Sequence, residues 1–308
     1  MTTAKILPPR LHPGDTIGIA SPSHLPSQDS LQRTAFVLNK LGFRVKFAKN
    51  LFADSWGFLA SDTERAADIN ELAADPEVKM VFFGGGEGAP ALLPLLDYDT
   101  IRENPKIYSS YSDGTTVLSA ITAMTGLVTY YGQTPGAFND LRYYNYTQFT
   151  ENFVTGEHRF FDSDSGWLTL REGEGEGVLI GGYSRNFAMM FASPHFTIDP
   201  NEDYILFIED HEKFSAPDAV SAYLAAVWEQ SFMRRVKGLI FGCYNNIGTP
   251  PEELCALLRT VGERFGIPVS YTSDIGHGTR HGILPMGCRV RLDATSGKLE
   301  FLEATIGK

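Results

Sequence analysis

The sequence predicts an α/β protein of two domains, a flavodoxin-like parallel-sheet domain followed by a second α/β domain with β-hairpins. Three observations lead there. Short β-prone runs alternate with amphipathic runs at helical spacing. Polar or glycine-rich clusters follow directly on the ends of those runs, where ligands collect in parallel sheets. The chain, at 308 residues, is long enough for a large core and two domains.

In order, Asp15–Ala20 reads as a short buried strand followed by the turn Ser-Pro-Ser. A helix is expected over about Asp29 to Leu41, stopping at Gly42, and a second strand over Phe43–Phe47. After an irregular loop, a charged helix spans about Asp62 to Ala74. The third strand, Val78–Phe83, ends in Gly84-Gly-Gly-Glu-Gly88, with a helix expected over Ala89–Leu96. The next strand lies in Ile107–Tyr111, and a further helix carries Val117, Leu118, Ile121 and Met124. These elements fill an N-terminal domain over residues 1–135. Residues 136–165 show no clear period and read as the crossing between domains. The second domain, 166–308, opens with hairpin signals, Gly166–Leu170 and Gly177–Gly181, around an acidic Glu-Gly-Glu-Gly-Glu turn. Strands follow at Tyr204–Ile208, Val236–Phe241 and Pro268–Tyr271, with helices near 186–192, 219–231 and 251–265. A terminal hairpin (Cys288–Leu292, Lys298–Leu302) turns through Asp-Ala-Thr-Ser-Gly.

A net charge of −11 argues against nucleic acid or an anionic membrane surface as partner. Cys243, Cys255 and Cys288 are too few and too scattered for a disulfide framework or a zinc cluster. They read as reduced thiols. With no apolar signal core at the start and no membrane-length apolar run, the expected location is the cytoplasm and the expected partner a small molecule.

The stretch richest in chemistry is Tyr111-Ser112-Asp113-Gly114. Ser112 stands where a strand gives way to a helix, with Ser110 two residues before and Gly114 two after. Small residues at those places let the chain turn sharply and push the hydroxyl outward, as in a nucleophile elbow. The helix start sets main-chain N–H groups nearby, where an oxyanion could form. Helix capping by Ser112 or Asp113 is the plainer alternative. Two more polar clusters end strands in the second half: Glu209-Asp210-His211-Glu212 and Asp274-Ile-Gly-His277-Gly278. A glycine-flanked histidine suits a general base, and a carboxylate at a neighbouring strand end can orient it. Ser112, Glu209 and His277 thus offer a nucleophile, an orienting acid and a base.

Two other chemistries fit less well. Gly84-x-Gly86-x-x-Ala89 formally matches a dinucleotide fingerprint, but it follows the third strand and Glu87 would stand beside a pyrophosphate. An oxyanion or substrate-backbone cradle suits this loop better, with Gly85 and Glu87 as its substrate-facing residues. His277 and His281 are four apart, yet the glycine-broken segment lacks a helical frame, and Arg280 between them repels a cation. No metal or cofactor is expected.

In ordered detail the chain resembles the LD-carboxypeptidase family of serine peptidases, which includes muramoyl-tetrapeptide carboxypeptidase and the microcin C self-immunity protein. The resemblance runs through Leu11-His-Pro-Gly-Asp-Thr-Ile-Gly-Ile-Ala-Ser-Pro-Ser, Gly57-Phe-Leu-Ala, the glycine loop and Tyr111-Ser-Asp113. It continues through Leu179-Ile-Gly-Gly, Ile205-Leu-Phe-Ile-Glu-Asp210, Gly276-His277 and Leu284-Pro-Met-Gly287. It implies Ser112 as nucleophile, Glu209 as orienting acid, His277 as base, and an oxyanion hole of the Gly86 and Asp113 N–H groups. It also implies a cytosolic homodimer, a site in the cleft between domains, and cleavage of an amide between an L-centre and a terminal D-amino acid. The microcin branch instead cleaves an amide joining an amino acid to a nucleotide-like group. This chain departs from the pattern in the glycine loop, where Gly84 replaces an arginine and Glu87 an aromatic, and at Ser110, where glycine is usual. Glu87 would favour a substrate with a cationic group.

Overall fold

The computed structural model describes residues 4–24, 27–57, 59–156 and 158–308. The first half supplies strands β1 (Thr16–Ala20), β2 (Arg44–Phe47), β3 (Val78–Phe83), β4 (Ile107–Ser110) and β5 (Thr129–Tyr131). Helices α1 (Gln28–Lys40), α2 (Asp62–Ala74), α3 (Tyr98–Glu103) and α4 (Thr115–Thr125) connect them. All five strands run parallel, in the order β5-β4-β3-β1-β2. β1 is buried along its whole length, as a strand covered on both faces must be. β2 instead alternates exposed Arg44 and Lys46 with partly buried apolar residues, and it forms the sheet edge. α2 starts on a capping box, Ser61 with Glu64, and buries Ala66, Ile69, Leu72 and Ala73.

The helix expected at Ala89–Leu96 is a 3₁₀ segment, Ala89–Leu95. Its prolines, one at the start and Pro94 inside, remove the donors an α-helix needs. The crossing also differs from expectation. It contains α5 (Tyr143–Phe149) and a π-helical turn, Thr150–Thr155. Phe149 and Phe153 pack into the first half's core: Phe149 meets Phe43 at 5.7 Å and Phe153 meets Tyr130 at 4.9 Å between ring centroids. Aromatic residues at irregular spacing gave no period because a helix that switches from α to π changes its face.

The second half forms a seven-stranded sheet. Its strands are β6 (Leu168–Arg171), β7 (Glu174–Tyr183), β8 (Tyr204–Glu209), β9 (Val236–Phe241) and β10 (Val269–Tyr271). After β11 (Leu284–Met286), which lies elsewhere, come β12 (Arg289–Asp293) and β13 (Lys298–Phe301). Helices α6 (Ser184–Met190), α7 (Pro217–Trp228) and α8 (Glu252–Phe265) accompany them. The order is β13-β12-β7-β8-β9-β10-β6, with β7 to β10 parallel and the β12–β13 hairpin antiparallel. The expected β6–β7 hairpin does not form. The Glu-Gly-Glu-Gly tract is the start of β7 itself, paired to β12, while β6 pairs with β10 at the opposite edge.

β11 leaves the second sheet and pairs antiparallel with β5, completing a six-stranded first sheet. The segment between β10 and β11, which contains His277, is therefore stretched from one sheet to the other. α4 and α6 pack together, and one apolar cluster runs through both halves, including Val117, Leu118, Phe187 and Phe207. Among the described residues no helix is long and apolar enough to cross a membrane. All three cysteines are buried free thiols.

Candidate active site

Ser112 has φ of +60°, a left-handed conformation unusual for a residue with a side chain. Strain of that kind persists only where the surroundings impose it, and here they do. A Cβ on Gly114 would overlap the side chain of Ser110, so the turn requires glycine at 114. Ser110 fills the space instead and donates to the carbonyls of Phe83 and Tyr111, each at 3.3 Å. Capping does not explain the motif, because neither Ser112 nor Asp113 makes a side-chain cap bond to the helix that follows. The Asp113 carboxylate faces the other way. It accepts from the Ala89 N–H at 2.9 Å, from Asn186 Nδ2 at 2.6 Å and from the Ser23 hydroxyl. Asp113 thereby ties the elbow to the glycine loop, to the end of β1 and, through α6, to the second sheet.

Glu209 is the last residue of β8 and is fully buried. His277 comes from the segment stretched between the sheets. Its Nδ1 stands 2.8 Å from Glu209 Oε2 and its Nε2 stands 2.9 Å from Ser112 Oγ. A carboxylate can only accept, so Nδ1 carries the proton and Nε2 presents its lone pair to the serine hydroxyl. Burial alone would lower the ring's pKa, but the charge and hydrogen bond of Glu209, with Asp210 behind it, hold it above the ordinary 6.5. Rings of Tyr111, Tyr183 and Phe214 surround the imidazole at 5.1, 5.0 and 5.2 Å between centroids. Gly276 is required beside it: its φ is +93°, and a Cβ there would overlap the Glu209 carboxyl group.

The structure adds groups that the sequence did not single out. The Tyr131 hydroxyl donates to Glu209 Oε1 and accepts the Ser112 main-chain N–H at 3.1 Å. Glu209 thus reaches Ser112 by two routes, through His277 to its hydroxyl and through Tyr131 to its backbone. Below, Asn145 and Gln148 of α5 accept from the N–H groups of His281 and Ile283, each at 2.9 Å, and so fix the histidine segment. An amide on an irregular crossing and a tyrosine in a three-residue strand leave no local signal of such roles.

The glycine loop lies against the elbow. Gly86 has φ of +130°, and a Cβ there would stand 2.6 Å from His24 Nδ1. Nothing lies within 4 Å of a Cβ built on Gly85, so one face of that residue is open. The buried Arg65 donates to the Gly88 carbonyl at 3.2 Å and to that of Pro22, fixing the loop to the segment after β1. The loop runs into a 3₁₀ segment, so it lacks the α-helix that a dinucleotide fingerprint needs behind its glycines. Glu87 differs from expectation, because its charge is already answered. Arg185 at the start of α6 donates to Glu87 Oε1 at 3.0 Å across the cleft. His281 lies 5.3 Å from Tyr111 between ring centroids and is held neutral, its pKa lowered to about 4 by burial and the neighbouring His277.

A strained serine, a polarised imidazole and a buried carboxylate in hydrogen-bonded sequence form the arrangement by which a hydroxyl becomes a nucleophile. They are carried by a parallel sheet joined to a second, mixed sheet. Residues 17–132 match the LD-carboxypeptidase N-terminal domain and residues 176–292 the LD-carboxypeptidase C-terminal domain, and the chain belongs to that family. It is 29% identical over 310 residues to a probable murein peptide carboxypeptidase of Bacillus subtilis, covering 98% of this chain and 95% of that one. It is 28% identical over 333 residues to the microcin C7 self-immunity protein MccF of Escherichia coli, covering 94% of each. Among solved structures, an MccF-like protein from Bacillus anthracis superposes with a TM-score of 0.85 at 27% identity, over 96% of this chain and 99% of that one. Family membership makes the protein a peptidase-type hydrolase.

Proposed function

We propose that the protein is a serine carboxypeptidase that cleaves the amide between an L-configured centre and a terminal D-amino acid, as in murein tetrapeptides. The observation that carries the reading is the unbroken chain Ser112–His277–Glu209, with separations of 2.9 and 2.8 Å. Ser112 attacks the carbonyl carbon as its proton passes to His277 Nε2. Glu209 stabilises the imidazolium through Nδ1–H. Main-chain N–H groups of Gly86 and Asp113 receive the developing oxyanion, and the open face of Gly85 admits the substrate backbone. His277 then protonates the leaving amine, and water, activated by the same ring, releases the acyl group from Ser112.

The relative named for murein peptides favours this substrate. A second reading, an amidase acting on aminoacyl-nucleotide conjugates, is favoured by Phe214. Its ring is largely exposed and lies 5.2 Å from His277, where it could stack on a base. Trp167, another aromatic that could serve, packs on Phe161 instead. Incubation with murein tetrapeptides and with aminoacyl sulfamoyl adenylates, with products followed by mass spectrometry, separates the two. Ser112→Ala should cut turnover by about 10³-fold or more while folding is retained. Near-normal turnover in that variant would remove Ser112 from the nucleophile's role.

A further inference from the structure

The Glu87–Arg185 contact joins the glycine loop to the start of α6, one aromatic ring away from the His277 imidazole. Arg185 lies over the face of Tyr183 at 5.6 Å, and Tyr183 in turn lies against His277 at 5.0 Å. Two features set this ion pair apart from a structural one. Glu87 is 70% exposed and Arg185 35% exposed, and pairs so open to water contribute little to stability. The guanidinium is also only half used: Glu87 takes Nη2, while the buried Nε has no hydrogen-bond partner. Nε and Nη2 point the same way and form the edge that grips a carboxylate with two parallel bonds. Glu87 engages one of these donors with a single oxygen and leaves the other waiting.

Two other arginines are committed elsewhere. Arg65 is buried and donates to main-chain carbonyls and Asp62, and Arg280 pairs with Asp164. A carboxypeptidase must hold a carboxylate one residue beyond the bond it cuts.

Building on the carboxypeptidase reading, we propose that Arg185 is the specificity residue that receives the substrate's terminal carboxylate through Nε and Nη2, and that Glu87 occupies this anchor in the empty enzyme. The substrate carboxylate exchanges with the Glu87 side chain, which swings into solvent. Binding then closes the ligand between the two halves, because the anchor sits on α6 and the nucleophile on the first sheet. A free carboxylate is recognised; a C-terminal carboxamide, neutral and able to offer only one acceptor, is not.

Calorimetric titration of a catalytically silenced Ser112→Ala protein tests this without relying on turnover. The ligands are an N-acyl-L-aminoacyl-D-alanine peptide as its free acid and as its carboxamide. The acid should bind about ten- to a hundredfold more tightly, as charge-assisted bonds of this kind imply. Adding Arg185→Met should erase the difference, and Arg185→Lys, which keeps the charge and loses the fork, should restore only part of it. Adding Glu87→Gln should tighten acid binding severalfold, because the competing carboxylate is gone. A merely structural pair would not produce that gain. An acid-to-amide ratio that survives Arg185→Met, weaker acid binding in Glu87→Gln, or no binding of either ligand would overturn the proposal. These failures differ from failure of the hydrolysis reading, which would appear as absent peptide turnover by the unmodified enzyme.

Discussion

Tyr131→Phe removes one oxygen atom and tests whether the site is a ring of hydrogen bonds or a simple line. The phenyl ring would keep its place against Phe207, 5.1 Å away between centroids, so packing in β5 is preserved. What disappears is the hydroxyl that donates to Glu209 Oε1 and accepts the Ser112 N–H. Each buried polar group left unpaired costs about 1–3 kcal/mol, so two such losses predict about 2–6 kcal/mol of destabilisation, lowered wherever water enters. Guanidinium chloride melts read that term. The chemical consequence is more diagnostic. With one donor gone, the Glu209 charge is less dispersed and bears more strongly on His277, whose pKa is already raised against the effect of burial. Because the base must be neutral to act, the acid limb of the pH profile of kcat/KM should lie above 6.5 in the unmodified enzyme and move still higher in the variant. Turnover should fall about 10–100-fold as the strained Ser112 backbone loses its anchor, at or below the roughly 10²–10⁴-fold of a group that itself transfers the proton. A variant with an unmoved limb and normal turnover would show Tyr131 to be packing alone.

Two further perturbations read the fold around the site. Gly276→Ala places a Cβ against the Glu209 carboxyl group at a φ of +93°. Overpacking and left-handed strain together predict a loss of about 2–5 kcal/mol in chemical melts, with turnover falling as Glu209 is pushed from His277. Lys106 is buried and donates to the Asp75 and Val78 carbonyls at 2.7 and 2.8 Å, and burial, with Lys79 nearby, lowers its pKa from 10.5 to about 8. Between those values the unfolded chain holds the proton that the folded chain has released, so Lys106 makes stability rise with pH from about 8 upward. Comparing pH–stability curves of the unmodified protein and Lys106→Met should show that rise only in the former.

Some of this site could be read locally. Ser112 announced itself because a nucleophile elbow is a steric problem solved within five residues, and Gly114 together with a small residue at 110 is the solution. His277 was marked by its glycine neighbours, one of which the Glu209 carboxyl group demands. Glu209 was marked by standing at the end of a wholly apolar strand. Elsewhere the local signal pointed the wrong way or was silent. Consecutive β-prone runs at 166–181 suggested a hairpin, yet β6 and β7 lie at different places in the sheet. Glu87 looked like a free negative charge until folding brought Arg185 to it, 98 residues further along the chain. Asn145 and Gln148 lay in a crossing whose change from α to π winding hid its period.

By itself the sequence determined most of the strands and longer helices, the parallel first sheet and three residues with suitable chemistry, because helical period, strand burial and tight turns depend on neighbours along the chain. Only the tertiary structure decided that β11 returns to the first sheet and draws the histidine segment across the cleft. That return brings His277 to Ser112 over a separation of 165 residues. Packing of the two halves also closes the second route through Tyr131 and sets Arg185 opposite the glycine loop. Such pairings follow from burial and strand order across the whole chain, and those long-range constraints leave no period in any local stretch of sequence.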